Sequence, residues 1–228
     1  AFYSKSAKGY SNICQRLHFF SADVTEPDLH AAIGGAETES NLLQANYLGF
    51  LVLRPLPTAA FGRTVLAWYR NIDPNSERVN TGVRQYTSNI LGLRLIVSGI
   101  PWQQQDRGVS ACATIALWSM FHSSAFDANH SIPTTVEITQ NALGASSGRR
   151  AFPSHGLTIA ELKEAIHAQK LTPKLIDSAS GFPPKYLASM CAANIRSGYP
   201  VLLVGDYVHQ DCDEQHAICC VGFREKAQ

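Results

Sequence analysis

GYPVLLVGD at residues 198–206 and HAICCVGF at residues 216–223 are the two segments that decide the fold of this chain. Each is a short run of aliphatic and β-branched residues closed by glycine, proline or a polar residue, which is the composition of a buried strand. A polar loop over residues 209–215 separates them. We therefore predict two paired strands, at residues 200–204 and 217–223. His216 comes directly before the second strand and is expected to face a cleft.

The region before these strands has the pattern of helices. Residues 111–123 (ACATIALWSMFHS) contain no glycine or proline and are apolar almost all round, which predicts a buried helix. Residues 158–169 predict an amphipathic helix, because Thr158 and Glu161 have the spacing of a capping box. Pro184 near the start and Gly198 just past the end predict a third helix over residues 184–196. Residues 99–228 are thus predicted to be an α+β domain, a helical side packed on an antiparallel sheet.

The region before residue 98 is predicted to be rich in β-structure. Strands are expected at residues 47–53, 64–69, 83–88 and 91–97, with turn residues between them. A helix is expected over residues 27–32, capped by Thr25 and ended by Gly34 and Gly35. We therefore divide the chain into a β-rich region of unknown role at 1–98 and the α+β domain at 99–228.

Composition excludes several classes of function. The 228 residues contain 19 Lys and Arg against 18 Asp and Glu, so a net charge of +1 indicates no nucleic-acid or anionic-membrane partner. The longest apolar runs fall far short of the ~20 residues that a membrane span needs. The six cysteines are irregularly spaced and too sparse for a secreted disulfide scaffold, which favours a reducing, cytoplasmic setting.

Cys112 is the first candidate for chemistry, because it stands at the expected start of the buried helix. The positive end of the helix dipole and the free N–H groups there favour a thiolate, the reactive form of cysteine. His216 is the candidate general base that would pair with it. Gln105, together with the backbone N–H of Cys112, would donate hydrogen bonds to an oxyanion.

The order of a Gln loop, a Cys at a helix start and a late His on an apolar strand resembles the papain-like cysteine peptidase fold. Within it, the chain looks most like the bacterial bacteriocin-processing (double-glycine) peptidases, over residues 99–228. The resemblance implies that Cys112 is the nucleophile, His216 the base and acid, and Gln105 the oxyanion donor. It implies cysteine-dependent hydrolysis of a peptide or isopeptide bond in a protein or peptide substrate, with no cofactor.

Three positions depart from the family's pattern. Ala113 follows the nucleophile, where the family usually has Gly or Trp, and Asp106 stands where the family usually has its Gln. The family also has an Asn or Asp on the strand after the His, which orients the imidazole. The sequence ends at Gln228, so we expect either a continuation that supplies this residue and a partner strand, or a substitute such as Asp206 or Asp211.

Three other interpretations stay open. His209, Cys212, His216 and Cys219 are permitted zinc ligands within one short segment, although their spacing is unusual. The missing orienting residue and the shifted Gln also fit a peptidase-like binding module without activity. The same Cys–His pair could serve an acyltransferase or a transglutaminase-type enzyme, because a fold does not fix the acceptor.

Overall fold

A computed structural model describes residues 13–56, 59–68, 74–105, 112–124, 131–145, 156–178, 180–209 and 212–226. Over these residues the protein is a mixed α+β structure in which every strand pairing is antiparallel. The strands are β1 (Gln15–Phe20), β2 (Tyr47–Leu53), β3 (Phe61–Leu66), β4 (Ser76–Asn80), β5 (Arg84–Ile90), β6 (Leu93–Gly99), β7 (Val201–His209), β8 (Cys212–Cys220) and β9 (Gly222–Lys226). The helices are α1 (Glu26–Ile33), α2 (Glu37–Asn46), α3 (Cys112–Ser124), α4 (Thr135–Ala142), α5 (Ile159–His167) and α6 (Pro184–Arg196).

The chain divides into two compact units. Unit 1 holds the described residues of Ala1–Tyr69 and Val83–Gln104, and unit 2 those of Arg70–Gly82 and Gln105–Gln228. These units do not coincide with a single cut near residue 98, because β4 lies before that point and belongs to unit 2. The reason is a long-range ladder: β4 pairs along its whole length with β9, from Ser76 opposite Lys226 to Asn80 opposite Gly222.

Unit 1 contains a three-stranded sheet in the order β1-β2-β3 and a hairpin of β5 and β6. Leu91 and Gly92 form the two-residue hairpin turn, and both have positive φ, as a type I′ turn requires. Helices α1 and α2 complete the unit. The core is built from their inner faces and from alternate strand residues: Ala32, Leu43, Tyr47, Phe50, Val65, Leu95 and Val97.

Gly49 allows the central strand of unit 1 to lie close to its neighbour. Its φ is +122°, and a Cβ there would stand only 2.1 Å from the carbonyl oxygen of Val65. Gln44 fixes α2 to the hairpin, since its side-chain amide exchanges two hydrogen bonds of 2.8 and 2.9 Å with the backbone of Ile96. The Gln44 amide thus gives the N–H and the carbonyl of Ile96 the hydrogen-bond partners that a neighbouring strand would otherwise supply.

Unit 2 is organised around α3. Its side chains Leu117 and Phe121 are 0 % and 1 % exposed, and α4 and α5 pack against the same core. The other side of this core is the β7–β8 ribbon, on which α3 packs. The capping boxes of Thr158 with Glu161 and of Thr134 with Glu137 begin α5 and α4.

The predictions from the sequence are confirmed for the α+β class and for most local elements. The predicted strand at 47–53 is β2, the helix with a capping box at Thr158 is α5, and the helix at 184–196 is α6. The prediction of a single strand at 217–223 is wrong, because the β-structure is interrupted at Val221, which separates β8 from β9. The second of these strands, β9, extends to Lys226.

Five elements are not predicted from the sequence: β1, α2, β4, α4 and β9. β4, for example, is the polar segment SERVN and lacks a strong local signal. α4 does have one, the capping box of Thr134 and Glu137, which the sequence prediction missed. Among the described residues, no helix combines the length and the apolar character needed to cross a bilayer.

Candidate active site

Cys112 is the first residue of α3, where the sequence predicts the nucleophile. Its side chain is half-buried and packs against the core of unit 2, whose members Ala113 and Leu117 are almost fully enclosed. The N–H groups in the first turn of a helix have no partner within the helix and carry partial positive charge. Cys112 thus lies at this end of α3, and part of its side chain stays open to reagents.

Thr114 introduces an unusual polar group two residues into the same helix. The residue is 3 % exposed, and its hydroxyl oxygen has no hydrogen-bond partner among the described residues. A buried hydroxyl without a partner costs about 1–3 kcal/mol of stability. Residues two apart on a helix do not face each other, so this hydroxyl is not directed along the Cys112 side chain.

His216 lies in the middle of β8, which corrects the prediction that it opens its strand. The strand begins earlier, at Cys212, because the β7–β8 ladder continues through the segment expected to be a loop. His216 pairs with Gly205 of β7 in that ladder, and its side chain is half-buried.

The two faces of the β7–β8 ribbon have different environments. Ala217 is 1 % exposed and joins the core around α3, and Leu202 and Cys219 pack on that core too. Because successive side chains of a strand alternate between faces, His216 and Ile218 leave from the opposite face. Ile218 is 47 % exposed, as this alternation requires.

The structure therefore brings Cys112 and His216 onto two elements that pack together, α3 and β8. It does so with the imidazole on the ribbon face opposite to the one that α3 covers. A contact between the two side chains would have to pass the edge of the ribbon.

Gly205 leaves space beside His216. Opposite residues of a ladder project from the same face, so the missing side chain of Gly205 leaves one flank of the imidazole uncrowded. A Cβ added at Gly205 would meet no atom within 4 Å. Sequence reasoning missed this feature, although a glycine inside a strand often marks a place where another group approaches closely.

Gln105, the predicted oxyanion donor, is half-buried. The segment between it and Cys112, including Asp106, lies outside the described residues. Gln104, the neighbouring candidate, is already bound: its backbone N–H donates to the Phe61 carbonyl at 2.9 Å, and its Oε1 accepts from the Phe61 N–H at 3.0 Å. The local pairing of Gln104 with β3 thus leaves Gln105 as the better donor of the two.

The two substitutes for the orienting residue differ in where they lie. Asp206 pairs with Gln215, one step along the ladder from Gly205 and His216. By strand alternation its carboxylate therefore projects from the face opposite to His216. Asp206 is not arranged to orient the imidazole directly, and Asp211 lies outside the described residues.

The zinc interpretation is inconsistent with the ladder. Cys212 and Cys219 are seven residues apart on one strand, a distance of about 23 Å, whereas zinc ligands all lie within about 2.3 Å of one ion. Cys219 also projects from the face opposite to His216. Among the described residues, no group of three or more His, Cys, Asp or Glu could hold a metal ion.

Two other thiols of unit 2 are poor nucleophiles by environment. Burial raises the pKa of Cys219 to about 12, and the neighbouring Cys220 contributes to the same rise. Although part of the Cys219 residue is accessible, its thiol is enclosed in the core. Burial also raises the pKa of Cys191, whose thiol is hydrogen-bonded to that of Cys220.

Comparison with known proteins adds no identification. No family model matches the chain, and neither the curated proteins nor the solved structures contain a match.

Proposed function

We propose that this protein is a cysteine-dependent hydrolase with a papain-like domain in unit 2, which cleaves a peptide or isopeptide bond of a protein or peptide substrate. The observation that carries the proposal is the start of the buried helix α3 at Cys112, combined with the packing of that helix on the strand of His216. A nucleophile at a helix start and a base on the adjoining strand are the two groups that covalent catalysis needs.

In the proposed reaction, the Cys112 thiolate attacks the substrate carbonyl and forms an acyl-enzyme. For this step the imidazole of His216 reaches Cys112 past the edge of the β7–β8 ribbon. It takes the thiol proton and returns it to the leaving amine, and it then activates water to release the acyl group. The N–H groups at the start of α3 and the Gln105 amide would stabilise the developing oxyanion. No cofactor takes part. Five of the six cysteines, Cys14, Cys112, Cys191, Cys219 and Cys220, are free thiols, as suits the reducing, cytoplasmic compartment that belongs to the proposal.

One specific observation favours the second candidate, a peptidase-like binding module without activity. His216 and Ala217 project from opposite ribbon faces, and it is Ala217 that joins the core of α3. A thiol without a paired base is a weaker catalyst, because nothing removes its proton within the site. Transfer of the acyl group to an amine, as in a transglutaminase-type enzyme, uses the same pair and is distinguished from hydrolysis by the product.

Alkylation of the native protein tests the Cys–His pair. Iodoacetamide at pH 6 should label Cys112 faster than any other cysteine, measured by peptide mass spectrometry, because only a stabilised thiolate reacts quickly in acid. His216→Ala should slow this labelling at least tenfold. His167→Ala, at the exposed end of α5, is the matched control and should leave the rate unchanged.

The outcomes separate the two candidates. A fast Cys112 whose rate depends on His216 supports the hydrolase. A fast Cys112 whose rate is the same in both His variants indicates activation by the helix alone, as in the inactive module. Equal labelling of all accessible cysteines would refute any special role for Cys112.

A further inference from the structure

The strands of unit 1 carry positive charge without any acidic residue. No Asp or Glu occurs in residues 13–22, 40–68 or 83–105, which contain β1, β2, β3, β5 and β6. The same strands carry four arginines, Arg16, Arg63, Arg84 and Arg94. The near-zero net charge of the whole chain therefore hides a basic region.

Three of these arginines gather along one face of β5. Arg16 Nη1 donates to the Ser88 hydroxyl at 3.2 Å, and the Arg63 guanidinium lies over the Tyr86 ring, 5.1 Å from its centroid. Arg84, Tyr86 and Ser88 alternate along β5 and so project from the same face. This is also the face of the core, because Tyr86 and Ser88 pair with the buried Val97 and Leu95.

The positions that hold the two cations are close together on β5. Ser88 and Tyr86 are two apart on the strand, a backbone separation of about 7 Å, and the charge of Arg16 acts on Arg63. The intervening space is bordered by hydroxyl groups, since Ser88 also hydrogen-bonds Tyr47. Both arginine side chains remain accessible to solvent.

Like charges at this distance repel each other unless an anion lies between them. Partial burial lowers the pKa of Arg63, and the charge of Arg16 lowers it further. Neither arginine forms an ion pair with another described residue. Since a guanidinium stays charged at every physiological pH, the repulsion cannot be relieved by loss of a proton.

We infer that unit 1 binds a phosphate group between the guanidinium groups of Arg16 and Arg63, with Arg84 at one end of the site. Guanidinium groups recognise phosphate oxygens through paired N–H···O contacts of about 2.8 Å. One tetrahedral phosphate can receive such contacts from two guanidinium groups at this spacing. The site is separate from Cys112 and does not depend on the proposed hydrolase.

The tyrosines beside this site add no negative charge to it. Burial raises the pKa of Tyr86 to about 12, in spite of the opposing charges of Arg84 and Arg63. Burial likewise raises the pKa of Tyr47. Both phenols therefore keep their protons through the physiological range.

Calorimetric titration of the full chain tests the inference. The probes are inorganic phosphate and O-phosphoserine, at an ionic strength held constant with potassium chloride. Arg16→Gln and Arg63→Gln should each weaken phosphate binding at least tenfold. Arg94→Gln is the matched control: it removes the same charge from the same unit, but Arg94 is exposed and alternates with the core residue Leu95, so binding should be unchanged.

A second measurement guards against variants that fold poorly. Phosphate should raise the thermal midpoint of the wild type and of Arg94→Gln, but not that of Arg16→Gln or Arg63→Gln. Tighter binding of phosphoserine identifies a phosphoester ligand, and tighter binding of inorganic phosphate identifies the free ion. If neither probe binds, or if all three variants weaken binding equally, the inference is overturned.

Discussion

The enclosed thiol of Cys219 gives a quantitative prediction about stability at alkaline pH. Its pKa is raised from an ordinary value of 9.0 to about 12, chiefly by burial. The folded state therefore holds this proton more tightly than the unfolded state does. The resulting stability is complete below pH 9 and is lost as the pH rises from 9 towards 12.

The size of the loss follows from the same two values. Between pH 9 and 12, the free energy of unfolding should fall by about 1.36 kcal/mol for each pH unit on account of this thiol. At pH 10.5 the thiol of the unfolded chain is almost fully ionised while that of the native chain is not. The expected contribution of Cys219 is then a loss of about 2 kcal/mol relative to pH 8.

Comparison with Cys219→Ala isolates this contribution. The variant loses some packing, but that cost does not change with pH, so it cancels when the pH dependences are compared. Other groups that titrate in this range, such as Tyr86, are present in both proteins and cancel as well. We expect the stability of the variant to fall by about 2 kcal/mol less than that of the wild type between pH 8 and pH 10.5.

Urea unfolding followed by tryptophan fluorescence provides the measurement. Trp118 lies in α3, whereas Trp68 and Trp102 belong to unit 1. With Trp68→Phe and Trp102→Phe in both proteins, Trp118 reports unit 2 alone. Parallel pH dependences in the presence and absence of Cys219 would refute the enclosure of this thiol.

Two further substitutions test local features by the same assay or by thermal unfolding. Thr114→Val should stabilise unit 2 by about 1 kcal/mol, because it removes a buried hydroxyl without a partner among the described residues; a loss of stability would mean that the hydroxyl is satisfied after all. Gly49→Ala should destabilise unit 1 by about 3 kcal/mol, since the new Cβ would meet the Val65 carbonyl and φ is positive. Gly205→Ala is its control and should be neutral or slightly stabilising, because the site is open; equal effects at the two glycines would contradict the close approach at Gly49.

The features that sequence reasoning finds are those with a local cause. The capping box of Thr158 lies within one turn of helix, and the start of α3 at Cys112 follows from a run of helix formers. The extent of the strand that carries His216 cannot be found in this way, because it depends on pairing with β7 through a polar segment.

The division into units could not be predicted for a related reason. β4 has no apolar pattern of its own, and it is held by partners far along the chain. Arg224 Nε, for example, donates to the Ser76 hydroxyl at 2.9 Å across 148 positions of sequence. No window of sequence contains both members of such a pair, so a boundary near residue 98 rests on composition alone.

The β4–β9 ladder also has a consequence for the order of events during synthesis. When β4 leaves the ribosome its partner β9 has not been made. The β5–β6 hairpin, which follows β4 in the chain and needs only its own turn, can close long before β9 is synthesised. β4 therefore remains an unpaired segment while the parts of the chain on either side of it fold. Its polar sequence SERVN, with Glu77 and Arg78 near the centre, makes that waiting segment a poor template for aggregation. The final closure of unit 2 is thus a long-range and slow step that begins only after translation has passed β9.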